Sequence, residues 1–225
     1  MLASHHIIFD CDGVLVDSEP LSMQIDVEIL AENGVNMTAE EAHARFVGKT
    51  FAAMIDEVES EFGVHFPADA SARKDQRLLL LYEIKLQVVE GVAVALREIG
   101  QQQDSVASNS PSERVAAALR ITGLTPFFAD RITTFEHVAR PKPEPDIFVE
   151  AARRAGYRPQ DCIVIEDSVT GVTAAQAAGC TVLGFAGTHP KQDEQSLKLL
   201  EAGARATFNH MATLPNLVRG YLHNT

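Results

Sequence analysis

No stretch of the 225 residues reaches the roughly 20 consecutive apolar residues that a membrane-spanning helix requires. Long runs of lysine and arginine are also missing, and the formal net charge is −12, so neither a nucleic-acid groove nor an anionic membrane surface is an expected partner. Cysteine is scarce. Cys11, Cys162 and Cys180 lie far apart, are odd in number and form no CxxC pair, which excludes a disulfide framework and makes a reducing cytoplasm the expected location. The segment Met1 to Ile8 has no basic stretch and only a short apolar run, so it does not read as a signal peptide. Internal repeats and low-complexity segments are absent as well. What remains is an ordinary globular composition, 46% hydrophobic and 22% charged, in a chain long enough for one domain carrying an insertion.

The pattern along the chain begins with a short apolar strand, His5 to Asp10, running into Asp-Cys-Asp-Gly. Ser18 then reads as a helix N-cap, with Glu19 and Pro20 in the first turn, Leu21, Ile25, Ile29 and Leu30 at helical spacing, and Gly34 as the stop. Thr38-Ala-Glu-Glu41 is a capping-box pattern. Helical patterns come next over 39–46, 51–62 and 68–86, and no strand is expected between residues 38 and 89. From there strands and helices alternate: helix 92–98, strand 104–107, helix 112–121, strand 131–133, helix 146–155, strand 162–165, helix 171–178, strands 181–185 and 206–208, and a last helix over 214–222. Such alternation predicts an α/β fold, a Rossmann-like parallel sheet with helices on both faces. The helical block after the first strand predicts an inserted all-helical cap over 18–88, with the catalytic core formed by 1–17 and 89–225.

Acids and other polar residues gather where these strands end. Asp10 and Asp12 come after the first strand, Ser108 and Asn109 after the second, and Glu166 and Asp167 after the strand 162–165, while Lys142 lies on the proline-rich loop 140–145. In open α/β sheets the ligand crevice lies outside the carboxyl ends of the strands, so segments distant in sequence converge there. Asp10 and Asp12, two apart in an extended segment, face one side while Cys11 faces away into packing. Carboxylates held so close repel unless a cation separates them, and with Asp167 they form an oxygen set suited to Mg²⁺. Helix and turn caps are the plain alternative for any single one of these acids. Lys142, stiffened by Pro141 and Pro143, is placed to balance charge on a carboxylate and on a bound phosphate, where a lone lysine would be a solvated surface residue. Ser108 and Asn109 end an apolar strand and start a helix, so they offer a hydroxyl and amides to a phosphate, a role compatible with a simple N-cap. His5 and His6 have no ligand partner at suitable spacing, so no metal is expected there.

Taken in order, the four segments resemble the haloacid-dehalogenase-like superfamily. Phe9-Asp-Cys-Asp-Gly-Val-Leu-Val-Asp-Ser-Glu19 is similar to its first motif and Val106-Ala-Ser-Asn109 to its second. Lys142-Pro-Glu-Pro-Asp146 is similar to the third, and Ile165-Glu-Asp-Ser168 with Gly171 to the fourth. The resemblance spans nearly the whole chain and is nearest to the branch of β-phosphoglucomutase and the sugar-phosphate phosphatases. It implies Asp10 as nucleophile forming an aspartyl-phosphate, Asp12 as general acid and then base, and Mg²⁺ held by the Asp10 carboxylate, the Asp12 backbone carbonyl and Asp167. Glu166 is the second choice as ligand, since strand neighbours face opposite ways unless the turn begins there. Asp12 argues against dehalogenation and phosphonate cleavage.

The expected reaction is hydrolysis of a small phosphorylated metabolite, a sugar phosphate or sugar-acid phosphate, by a monomeric enzyme. Mutase action is the alternative. Enzymes of that kind carry a histidine soon after the first motif, where this chain has Ser22 and its neighbours. They also carry an arginine just past a glycine of the cap, where this chain reads Lys49-Thr50-Phe51 after Gly48. Arg45 and Lys49 are the candidate anion contacts of the cap, with solvated helix-end cations as their plain alternative. A phospho-accepting receiver domain fits poorly with so long a helical insertion, and a binding protein without activity fits poorly with the intact set of Asp10, Asp12, Ser108, Lys142 and Asp167.

Overall fold

The structure is a computed structural model that describes residues 5–46, 49–100 and 104–222. The first four residues of the N-terminal segment and Gly48 lie outside the described residues. Strand β1 (His6–Phe9) is followed by helices α1 (Glu19–Glu32), α2 (Ala39–Phe46), α3 (Phe51–Phe62), α4 (Ala70–Lys85) and α5 (Val92–Ile99). Next come β2 (Ser105–Ser108), α6 (Ser112–Ile121), α7 (Thr125–Phe128), β3 (Ile132–Thr134) and α8 (Asp146–Ala155). The chain ends through β4 (Cys162–Glu166), α9 (Val169–Ala178), β5 (Thr181–Phe185), α10 (Gln192–Glu201), β6 (Ala206–Phe208) and α11 (Leu214–Leu222).

The chain divides into two compact units, Met1–Asp17 with Gln87–Thr225, and Ser18–Leu86. The second crossing falls two residues before the position read from the sequence, and the reason is local pairing. Val16 bridges Val88 antiparallel, Asp17 N donates to Gln87 O at 3.0 Å, and Val89 N donates to Leu15 O at 3.0 Å. Those bonds draw Gln87 and Val88 into the first unit.

That unit is built on a six-stranded sheet in the order β3-β2-β1-β4-β5-β6, every pair parallel. Every residue of β1 and β4 is buried, as expected for central strands covered on both faces. On one face Ile8, Val164 and Val182 pack with Ile147 and Phe148 of α8 and Val172 and Ala175 of α9. On the other, Phe9 meets Phe128 of α7 edge-on, ring centroids 5.7 Å apart. Phe9 stands level with both Val106 and Ile165, so β1, β2 and β4 present their carboxyl ends side by side at the centre of the sheet.

The helical unit has its own core of Leu30, Val35, Ala42, Phe46, Met54 and Val58. The capping box at the start of α2 forms: Thr38 N donates to Glu41 Oε2 at 2.8 Å and Glu41 N to Thr38 Oγ1 at 3.2 Å. Ser18 does precede α1, but its side chain makes no capping hydrogen bond; Glu19 and Pro20 open the helix instead. Lys74 of α4 and Asp26 of α1 form a buried ion pair at 2.6 Å, with the ammonium over the Phe51 ring.

Two helices were not expected from the sequence. One is α7, a single turn opened by Pro126; the other is α10, where Leu199 is buried while Leu197 and Leu200 face solvent, which blurs the apolar stripe. Ser108 and Asn109 do not open a helix either. Pro111 intervenes, and α6 begins at Ser112.

Candidate active site

Asp10 continues β1 by one rung, its N–H donating to Ile165 O at 2.9 Å. That bond fixes the carboxylate at the centre of the sheet's carboxyl edge, where it is 6% exposed. Lys142 reaches the same point from the loop before α8. Its ammonium donates to Asp10 Oδ1 at 2.6 Å, Glu166 Oε1 at 2.6 Å and Ala107 O at 2.9 Å, filling its three donor positions. The loop is fixed by Asn109, whose Oδ1 accepts from Lys142 N and whose Nδ2 donates to Lys142 O, both at 3.1 Å. The Lys142–Pro143 peptide is cis. Asn109 thus holds the lysine loop rather than opening a helix.

Glu166, fully buried, uses both carboxylate oxygens: Oε1 for Lys142, and Oε2 for Ser168 N at 3.0 Å and Ser168 Oγ at 2.9 Å. Gly171 makes room for it, since a Cβ there would stand 1.8 Å from Glu166 Oε1. Asp167 lies beside Gly13, which has φ +80°, and its backbone oxygen accepts from Gln195 Nε2 of α10 at 2.6 Å. Asp10, Glu166 and Asp167 each offer a carboxylate oxygen within 4.8 Å of the others. On the other side of Asp10, Asp12 Oδ2 accepts from Ser110 Oγ at 2.5 Å and from Ser108 Oγ at 3.5 Å.

The electrostatics are set by this crowding. Burial pushes Asp10 up to about 8, with Glu166 and Asp12 adding to the rise and Lys142 opposing it. Burial works against the charge on Lys142, yet Asp10 and Glu166 together hold it above the ordinary lysine range. Burial, with Asp12 and Asp10 nearby, raises the Cys11 thiol far above its usual value, so Cys11 is an inert packing residue. His6 is a core residue too: its ring bonds Ser105 Oγ at 2.8 Å and stacks on Tyr157.

Asp10, Asp12, Ser108, Asn109, Lys142, Glu166 and Asp167 therefore meet at one edge of the sheet. Arg45 and Lys49 belong to the helical unit, where both pair with Glu57 and Arg45 also with Glu61. Three residues that the sequence pattern did not single out belong to the site's surroundings: Ser110, Arg114 and Gln195. Ser110 was findable, since it lies two positions beyond Ser108, and Arg114 comes after it at helical i,i+4 spacing. Gln195 was not, because it sits on the helix whose stripe is blurred.

A parallel sheet in this order, with acids and one lysine at the switch point between its central strands, defines an α/β enzyme of the Rossmann-like class. The family model of haloacid dehalogenase-like hydrolases matches residues 5–179, and the chain belongs to that family. It is 28% identical to a 6-phosphogluconate phosphatase of Escherichia coli over 94% of this chain and 93% of that one. A fructose-1-phosphate phosphatase of the same organism is 30% identical over 77% of this chain and 92% of its own. Among solved structures, a hydrolase of the family from Deinococcus radiodurans, with bound phosphate and sodium, superposes with a TM-score of 0.78 at 31% identity, covering 99% of this chain and 98% of that one. Both of the Escherichia coli relatives are named as phosphatases.

Proposed function

We propose that this protein hydrolyses a small phosphorylated sugar or sugar acid with the help of Mg²⁺, through a phosphoryl group carried on Asp10. The observation that carries this reading is the Lys142 ammonium between Asp10 and Glu166, with Asp167 close by. Four acids stand around a single lysine, a field that repels a phosphate dianion unless a cation joins them. The donors are all oxygens, and no cysteine or histidine is among them, which fits a hard cation. Asp10, Asp167 and the Asp12 backbone carbonyl would hold Mg²⁺. Glu166, with both oxygens already engaged, would serve chiefly to orient Lys142. Bound there, the ion would neutralise phosphoryl oxygens and relieve the repulsion among the acids.

The chain's own groups account for the rest. An Asp10 oxygen attacks phosphorus as the bond to the sugar oxygen breaks, and Asp12 gives its proton to that oxygen. Asp12, now a carboxylate, takes a proton from water; the water oxygen attacks phosphorus, and Asp10 leaves as a free carboxylate. Lys142 holds Asp10 in line and balances its charge, while Ser108 and the amides around Asn109 meet the phosphoryl oxygens. The relatives' named substrates, 6-phosphogluconate and fructose 1-phosphate, set the first panel to try.

The test is phosphate release from sugar phosphates and sugar-acid phosphates in Mg²⁺ and in EDTA, with wild type and Asp10→Asn. Turnover confined to wild type in Mg²⁺ is expected. Wild-type rates from Asp10→Asn, or from the chelated enzyme, would overturn the reading.

A further inference from the structure

Ser110 is 4% exposed and stands between two charged groups. Arg114, in the first turn of α6, donates from Nη2 to Ser110 Oγ at 2.5 Å, and Ser110 Oγ donates to Asp12 Oδ2 at 2.5 Å. A hydroxyl has one proton and two lone pairs, whereas a guanidinium can only donate. An oxygen that receives the Arg114 N–H is polarised, and its own proton goes to Asp12. Ser108 Oγ also faces Asp12 Oδ2, at 3.5 Å, and itself accepts from Ser110 N at 3.0 Å. One oxygen of Asp12 is therefore fixed as an acceptor by a chain of short bonds that begins at a cation.

From this geometry we infer that Ser110 and Arg114 are positioning residues for Asp12: they turn its carboxyl group so that Oδ2 faces Ser110 and Oδ1 carries the transferable proton toward the leaving oxygen. This rests on Asp12 being the general acid of the proposed hydrolysis. The step balances without any further reagent. The Asp10 oxygen–phosphorus bond forms, the phosphorus–sugar oxygen bond breaks, the Oδ1 proton passes to the sugar oxygen, and Asp12 becomes a carboxylate whose Oδ2 still accepts from Ser110. A carboxyl group free to rotate presents its proton to the leaving oxygen only part of the time, and general acid catalysis depends on that alignment.

The role has a signature that simple structural support lacks. A sugar alkoxide is a poor leaving group and needs the proton, whereas p-nitrophenolate leaves without one. The parameter kcat/KM reports steps only up to phosphoryl transfer, so later attack by water does not blur the comparison. With 6-phosphogluconate, or the best sugar phosphate of the panel, set against p-nitrophenyl phosphate, Ser110→Ala is expected to lose about ten- to a hundredfold in kcat/KM on the sugar ester and under about threefold on the aryl ester. Ser110→Thr should recover most of the loss, and Arg114→Met should fall in the same direction by less. Asp12→Asn is the reference, because it should separate the two esters most. If Asp12→Asn separates them while Ser110→Ala and Arg114→Met lower both equally, the positioning role is overturned and the acid stands. If Asp12→Asn lowers both equally, the acid assignment fails and the positioning role falls with it.

Discussion

Gly13 and Asp167 occupy nearly the same space: a Cβ on Gly13 would stand 2.0 Å from Asp167 Oδ2. The glycine is needed twice, since its φ of +80° is also one that L side chains rarely adopt. Gly13→Ala should therefore act on two readouts. The backbone strain costs about 1–2 kcal/mol, lowering Tm by several degrees. Displacement of the Asp167 carboxylate should raise the Mg²⁺ concentration for half-maximal activity about tenfold or more. Titration of activity with Mg²⁺ checks this; an unchanged half-saturation point would remove Asp167 from the metal site.

The candidate site was legible in the sequence because its polar residues sit at strand ends, and strands are short runs bounded by abrupt polarity changes. Asp10, Asp12, Ser108 and Asp167 stand directly after three apolar runs, where a change from apolar to polar marks the end of a strand. Lys142 was findable through its flanking prolines. The rest depended on side-chain direction, which spacing does not encode. That both Glu166 oxygens are engaged, by Lys142 and by Ser168, is set by the turn after β4 and by the space left by Gly171. That Asn109 holds the lysine loop depends on a contact between residues 33 apart in sequence. Gln195 reaches Asp167 from a helix with only a weak apolar stripe, and the strand and helix signals on either side gave no hint of it.

Lys142 neutralises two buried carboxylates at once, so its loss should be felt in stability as well as in rate. Lys142→Met leaves Asp10 and Glu166 facing each other without a cation, a change expected to cost about 3–5 kcal/mol in metal-free protein. Mg²⁺ should then raise the variant's Tm by more than it raises that of wild type. Adding Glu166→Gln should recover part of the loss, because one of the two opposed charges is gone. Thermal unfolding in EDTA and in Mg²⁺ measures all three; a variant as stable as wild type in EDTA would contradict the charge arrangement.

Away from the site, Asp104 and His6 couple stability to pH in opposite directions. Burial raises Asp104 from 3.8 to about 7, against the pull of Arg131. Its stabilising contribution is complete below 3.8 and disappears as pH rises toward 7. Burial, with Arg131 adding to it, lowers His6 from 6.5 to about 4, so its contribution is complete above 6.5 and disappears as pH falls toward 4. Between those limits the two slopes oppose each other. Asp104→Asn removes one of them, so the variant should gain in Tm relative to wild type as pH rises from about 5 to about 8. A Tm difference that stays constant across that range would show that Asp104 does not titrate there.

The outcome of the proposed reaction depends on what happens to a phosphoryl group once Asp10 carries it. Hydrolysis and mutase action share that intermediate, so detecting it separates nothing. A mutase must keep water out until a sugar hydroxyl returns, and must hold the second phosphate of a bisphosphate while it turns. The chain has Ser22 and its neighbours where a histidine would help control the phosphoenzyme, and Lys49-Thr50-Phe51 where an arginine would grip the second phosphate. The two cations nearest that segment are already committed: Lys49 to Glu57, and Arg45 to Glu57 and Glu61. Holding a second phosphate would mean breaking those pairs and bringing an anion up to the same acids. Sugar monophosphates should therefore yield inorganic phosphate at a steady rate with no bisphosphate activator. Incubation with β-glucose 1-phosphate, following free phosphate and glucose 6-phosphate together, decides the matter. Glucose 6-phosphate accumulating while phosphate stays at background would make the protein a mutase and would mean that neither of those two positions is needed to protect the intermediate.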